Sequence, residues 1–297
     1  MAKKKPTTTH PSFEDIKKTI VLGLFSCDDL FNKLVLKGGN ALSLVYGIST
    51  RASLDIDLSI SGDFENLKEV DSQIQREMQR SFDQLSLIVF DFSMNEVPPE
   101  VTEELANFWG GYKIIFKLIE KAKFQEHKND SEWLSKNSLS VGGSDTRKFE
   151  IDISKHEYTA EKRDLIFHGY KIYVYSPAMI ACEKLRAICQ QIDTYREKVK
   201  KHKAKRARDF LDIYQICEAE KINPLDESFK LTLAKVFDAK EVPLNLLERI
   251  EGEREHHESD FVAVKATVAN SSNLEDFEFY FQYTLELVKK LEAFWNV

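Results

Sequence analysis

Residues 36–60 read LKGGNALSLVYGISTRASLDIDLSI, and the architecture unfolds from this stretch. The apolar run LVLK (34–37) predicts a short strand that stops at Gly38 and Gly39. NALSLVYG (40–47) predicts two helical turns closed by Gly47. SLDIDLSI (53–60) then alternates acidic and apolar residues with a period of two, as a strand does. Two chemical features sit inside this strand–turn–helix–strand unit. Adjacent glycines let a backbone come close to a phosphate, and free N–H groups at a helix start favour an anion. Asp55 and Asp57 stand at i and i+2, so both carboxylates project from one face of the strand. Carboxylates this close repel one another, and a divalent cation relieves the repulsion. Oxygen donors with no His or Cys nearby suit Mg²⁺ rather than Zn²⁺.

Outward from this unit, SFEDIKKTIVLGLF (12–25) predicts an opening helix with Ser12 as its N-cap, and residues 65–85 predict a long amphipathic helix. Strands are expected at 86–94, 112–120, 148–154 and 170–176. In FEIDIS (149–154), Phe149, Ile151 and Ile153 fall on one side and Glu150, Asp152 and Ser154 on the other. A two-metal site needs a third acid from elsewhere in the chain; Asp152 is the candidate, with Glu150 the alternative. After Ser176 nearly everything reads as helix, most clearly at 176–192, 206–220 and 274–294. The expected fold class is α+β, a mixed sheet with flanking helices over residues 1–176, followed by a helical domain over 177–297.

Composition narrows the function classes. A chain of 297 residues is long enough for two domains of about 150 residues each. Hydrophobic residues make up 42%, with 20 Phe and 10 Tyr, which supplies a real core and excludes global disorder. Only 11 Gly and 7 Pro argue against a collagenous chain and against a turn-rich all-β one. No apolar run approaches the ~18 residues that cross a bilayer. MAKKKPTTTHPS at the N-terminus is basic but lacks the apolar stretch of a signal peptide, so a cytoplasmic protein without membrane partners is expected. Cys27, Cys182, Cys189 and Cys217 form no Cys-x-x-Cys pair and read as small buried hydrophobes.

Charge is uneven. The net charge is −7, yet REKVKKHKAKRAR (196–208) carries eight Lys or Arg against one Glu. Such a segment can hold a polyanion even on an acidic protein, because phosphate contacts are local; it can equally be a solvated face. The acidic stretch EGEREHHESD (251–260) reads as a partner surface or a solvated loop, the loop being favoured.

Gly-Gly, Asp-x-Asp on the next strand and an acid on a later strand resemble the nucleotidyltransferase fold of the DNA polymerase β superfamily. KGGNAL (37–42), RASLDIDL (51–58), EKLRAI (183–188) and RARDFLDIY (206–214), in this order, resemble the AbiEii-type toxins of bacterial type IV toxin–antitoxin and phage-defence systems. The resemblance implies that Gly38 and Gly39 cradle a triphosphate and that Asp55, Asp57 and Asp152 hold two Mg²⁺ ions. Arg51 and Ser53 fall on family positions, the first suited to a phosphate and the second to holding the turn. Asn40 stands where many nucleotidyltransferases carry Ser or Thr, and its amide remains a donor for phosphate. Lys184 matches the family lysine, facing the triphosphate. Asp209 matches the functional aspartate. Arg208 and Asp212 flank it, and these two are also spaced for an ordinary helical ion pair.

By the same resemblance the chain is a Mg²⁺-dependent nucleotidyltransferase toxin. It would move NMP from an NTP to an RNA, the 3′ end of tRNA being the expected acceptor, and so block growth or phage propagation. The basic run would feed that end toward the metals. A small-molecule or protein acceptor, or a nucleotide-binding regulator without turnover, remain the alternatives. A cognate antitoxin with a winged-helix DNA-binding domain is the implied partner.

Overall fold

The computed structural model describes residues 11–49, 53, 55–141, 146–268 and 271–295. Helix α1, Phe13–Phe25, opens with a capping box: Asp15 N–H donates to Ser12 Oγ, and Ser12 N–H donates back to the Asp15 carboxylate. Strand β1, Val35–Lys37, is buried throughout and pairs antiparallel with β2, Ile56–Ser59, with Lys37 opposite Asp57. Helix α2 is Leu67–Asp83, capped by Asn66. The further strands are β3 (Leu87–Val97), β4 (Gly111–Glu120), β5 (Phe149–Ser154), β6 (Arg163–Phe167) and β7 (Tyr170–Val174). Together the seven form a mixed sheet in the order β3-β4-β5-β2-β1-β7-β6.

Two pairings in that order matter most. β2 runs parallel to β5 with Asp57 opposite Asp152, and β1 runs parallel to β7. β6 is missing from the elements expected from sequence. Its residues, RDLIF, are mostly exposed and carry no alternation to betray them. The hairpin to β7 is made by His168 and Gly169, both with positive φ, the geometry that favours a two-residue turn.

The described chain divides into two compact units. One takes the described residues up to Phe31 with Asn66–Met94 and Ile114–Glu150; the other takes Asn32–Glu65, Asn95–Lys113 and the described residues from Ile151 onward. The proposed division at 176 marks where strands give way to helices along the chain, whereas the compact units follow packing and are discontinuous. In the first unit α1 packs on α2, and Phe116 meets Phe82 and Phe149 at ring distances of 6.2 and 5.5 Å.

In the second unit, helix α3 (Pro177–Cys189) starts at Ser176, whose Oγ accepts the Met179 N–H, with Pro177 pre-set for the first turn. It packs against α4 (Ala207–Glu220) and α5 (Glu227–Asp238), and α4 against α6 (Phe277–Lys290). Phe210 centres that contact, 5.3 Å from Phe277 and 5.4 Å from Phe281. All four cysteines are buried thiols outside any disulfide, as small buried hydrophobes would be. The acidic stretch 251–260 departs from its reading as a solvated loop. It contains the helix Arg254–Glu258, in which His257 is buried against Phe210 and accepts the Arg206 N–H. Among the described residues no helix is long and apolar enough to cross a membrane.

Candidate active site

Register brings the acids together. Lys37, Asp57 and Asp152 are neighbours across β1, β2 and β5. Asp55 is exposed in the bend just before β2. The three aspartates line one cavity of about 670 Å³ lying wholly within the second unit, together with Gly38, Gly39 and Ser53. Asp152 lines it and Glu150 does not. Burial pushes the Asp57 carboxyl up to about 6; Lys37 pulls it down, while the negative charges of Glu183 and Asp152 add to the rise. Lys113 stands 3.2 Å from Asp152.

The glycine turn is fitted to this acid. Gly38 has φ +67°, and a Cβ built on it would overlap Asp57 Oδ2. After β1 the chain makes a short helical turn, Gly38–Asn40, that continues as a π-helical turn, Ala41–Val45, where a plain α-helix was expected. Asn40 is fully buried and its amide donates to the Asp55 carbonyl. That amide, expected at a phosphate, instead fixes the entry to β2. Arg51 lies outside the described residues.

Beneath the acids lies a buried ion network that no local pattern announces. Lys37 Nζ is 2.9 Å from Glu183, 3.0 Å from Ser154 Oγ and 3.5 Å from Glu157. Arg186 grips Glu157 with two guanidinium nitrogens at 2.8 and 3.0 Å. Burial alone would raise the Glu157 carboxyl, but Arg186, Lys37 and Lys240 hold it well below the usual carboxylate range. Glu183 and Arg186 lie within EKLRAI, yet only Lys184 stood out there. Lys37 precedes the glycines unremarked, and Glu157 has no motif at all.

Lys184 bridges two helices. Its Nζ is 3.1 Å from Asp209 and 2.6 Å from Asp212, all three side chains being buried. Asp209 also faces Arg206 at 3.6 Å. Burial would raise the Asp209 carboxyl, but Lys184, Arg206 and Arg208 hold it well below its ordinary value. Arg208 is itself raised, first by Asp209 and further by Asp57, Asp212 and Asp55. The lysine therefore meets the cavity already neutralised, and Arg208 is the helical cation whose charge reaches the acids.

The basic run is only partly free. Arg196 pairs with Asp193 at 3.1 Å, Lys198 with Glu241 at 2.6 Å and Lys203 with Glu253 at 2.7 Å. Lys200, Lys201 and Lys205 have no carboxylate partner among the described residues. Residues 201–206 are not helical, and Lys200, Lys201, His202, Arg206 and Arg208 line the same cavity as the aspartates.

Among the described residues no group of three His, Cys, Asp or Glu is gathered closely enough to hold a metal ion. The donor chemistry still fits a hard divalent cation. Asp57 and Asp152 are register neighbours and both are oxygen donors; burial first, and then the negative charges of Glu183 and Asp152, disfavour the ionised Asp57 carboxyl, a cost that such an ion offsets.

No curated protein sequence matches the chain. Among solved structures, JHP933 from Helicobacter pylori shares 16% identity and a TM-score of 0.50, covering 95% of this chain and 92% of that one. A second H. pylori protein, under a provisional nucleotidyltransferase name, shares 18% identity with a TM-score of 0.49, covering 95% and 96%. The likeness to JHP933 speaks to fold alone. The family model described as nucleotidyl transferase AbiEii toxin, type IV TA system, matches residues 20–283. That span takes in the glycine turn, every strand and the helices around Lys184, and on its breadth the chain belongs to the AbiEii nucleotidyl transferase toxin family of type IV toxin–antitoxin systems.

Proposed function

We propose that this nucleotidyltransferase toxin moves NMP from an NTP to the 3′ end of an RNA, with tRNA as the acceptor and Mg²⁺ as the metal. One observation carries the reading: three aspartates and Lys200, Lys201 and His202 of the basic run line the same cavity. A site for a small uncharged acceptor has no use for Lys200, Lys201 and His202 at its wall. An RNA end brings backbone phosphates that these residues neutralise.

Each part of the site then has a task. Gly38 and Gly39 leave the backbone open to phosphate oxygens, and Gly38 also makes room for the Asp57 carboxylate. Asp55, Asp57 and Asp152 would hold the metal. Bound there, Mg²⁺ would offset charge on the transferring phosphate and on the departing pyrophosphate. Asn40 keeps Asp55 in place through its carbonyl. Lys37 sets the charge around Asp57 from the neighbouring strand. Arg208 extends positive charge toward the same acids, where a triphosphate would accept it. Lys184, held by Asp209 and Asp212, fixes α3 to α4 at the cavity wall. The acceptor 3′ oxygen bonds to the α-phosphorus as the bond to the β-phosphate bridge breaks and pyrophosphate leaves. In the cell this chemistry, set free of the antitoxin, would block growth or phage propagation in the cytoplasm.

Incubation of the protein with Mg²⁺, radiolabelled NTPs and total bacterial RNA tests the reading on one denaturing gel. A labelled band of tRNA size, absent with Asp57→Ala, is expected. Label only on a metabolite or on protein would overturn the RNA acceptor and leave nucleotidyl transfer standing.

A further inference from the structure

One aromatic side chain of the cavity lining has not yet been given a task. This is Trp109, half-buried, at the close of a turn in which its N–H donates to the Leu105 carbonyl. The platform is anchored from both sides. Lys240 Nζ donates to the carbonyl of the preceding Phe108 at 3.0 Å, and the Tyr195 ring meets the indole edge-on at 6.4 Å. Lys201 Nζ stands 5.5 Å from the centre of the indole ring. Lys200 has a left-handed backbone, φ +50°, and this turn delivers Lys201 to the cavity.

Lys201 is unusual in its company. No carboxylate partners it among the described residues, and the charges that act on it, from Arg206, Lys37 and Arg186, are all positive. Burial, first, and these cations lower its ammonium to about 8, and the Trp109 ring is the group set against its charge. A half-buried cation among cations is a seat for an anion, and an aromatic face beside it is a seat for a base. Lys200 and His202, both exposed and both lining the cavity, continue from Lys201 toward solvent.

We infer that Trp109 and Lys201 form the acceptor subsite for the last nucleotide of a single-stranded RNA end, Trp109 stacking on its base and Lys201 pairing with its phosphate. This rests on the RNA-acceptor reading above and deepens it. The NTP carries the same base-and-phosphate chemistry. The RNA is favoured because Lys201 belongs to the basic run that leads out of the cavity, whereas the glycine turn and Arg208 stand with the aspartates.

The test is equilibrium binding by anisotropy of a 5′-fluorescein single-stranded oligoribonucleotide to the full chain, alongside calorimetric titration of NTP with Mg²⁺. Trp109→Ala should weaken RNA binding about tenfold or more, Trp109→Phe should restore much of it, and NTP affinity should stay unchanged. Lys201→Gln, which removes no packed ring and so serves if Trp109→Ala fails to fold, should lower the log–log salt slope for RNA by about 0.7. Unchanged RNA affinity in both variants, equal losses for RNA and NTP, or no RNA binding by the unaltered protein would each overturn the subsite. If the binding changes appear as expected but no RNA is labelled from NTP, the subsite stands and the transfer reading fails.

Discussion

At Gly38 the backbone takes φ +67° and the Asp57 carboxylate occupies the space where a side chain would be. Gly38→Ala therefore meets two penalties, about 1–2 kcal/mol for the left-handed conformation and the displacement of Asp57. It should lower the unfolding free energy by at least that amount and remove most nucleotidyl transfer; a fully active variant would mean that Asp57 does not need its observed position. Lys184 is the second informative residue. Its charge is divided between Asp209 and Asp212, and Asp212 is wholly buried. Lys184→Met removes the cation shared by two buried carboxylates, Arg206 still facing Asp209, and should destabilise the protein by about 3–5 kcal/mol. Adding Asp212→Asn should return part of this loss in urea unfolding, since one of the stranded charges is then gone. Loss of activity without loss of stability in Lys184→Met would instead favour the direct triphosphate contact expected from sequence.

Among the elements, β2 and β5 were legible because each alternates acid with apolar residue, and their parallel pairing then sets Asp57 beside Asp152. The π-helical turn after Gly38 was not legible, since NALSLVYG has the spacing of an ordinary helix. Nor was the ion network: Lys37 lies 120 residues from Glu157 and 146 from Glu183, so no window of sequence holds both partners. The basic run shows the same limit from the other side. Its charges were countable, but which of them are spent depends on Asp193, Glu241 and Glu253. Charge reversals separate the two groups. Lys200→Glu with Lys205→Glu should leave the unfolding midpoint unchanged and reduce the salt slope of RNA binding by roughly 0.7 to 0.9 per lost phosphate contact. Lys203→Glu, which faces Glu253, should lower stability with less effect on that slope. Equal slopes for both variants would mean that the ion pairs of the run open when RNA arrives.

For the whole molecule, the buried carboxylates tie stability to pH. Glu157 and Asp209 both carry carboxyls held well below their ordinary values, the cations around them outweighing the cost of burial. A depressed folded-state value means that the unfolded chain takes up the proton first. The stabilisation from these groups is complete above the ordinary carboxylate range and is lost as pH falls through it toward the folded-state values. Ordinary carboxyl values are 4.5 for Glu and 3.8 for Asp, so the denaturation midpoint should hold steady near neutrality and fall steeply below about pH 4.5. Glu157→Gln removes the titrating group and with it the carboxylate shared by Arg186, Lys37 and Lys240, leaving Glu183 as the acid beside Lys37 and Arg186. That variant should be less stable at pH 7, and the gap to the unaltered protein should narrow as acid removes from the latter what the substitution has already removed. Urea midpoints measured from pH 7 down to pH 3 check both halves of the expectation. A gap of constant size across that range would show that Glu157 contributes through shape alone. The network beneath the aspartates would then be packing rather than charge.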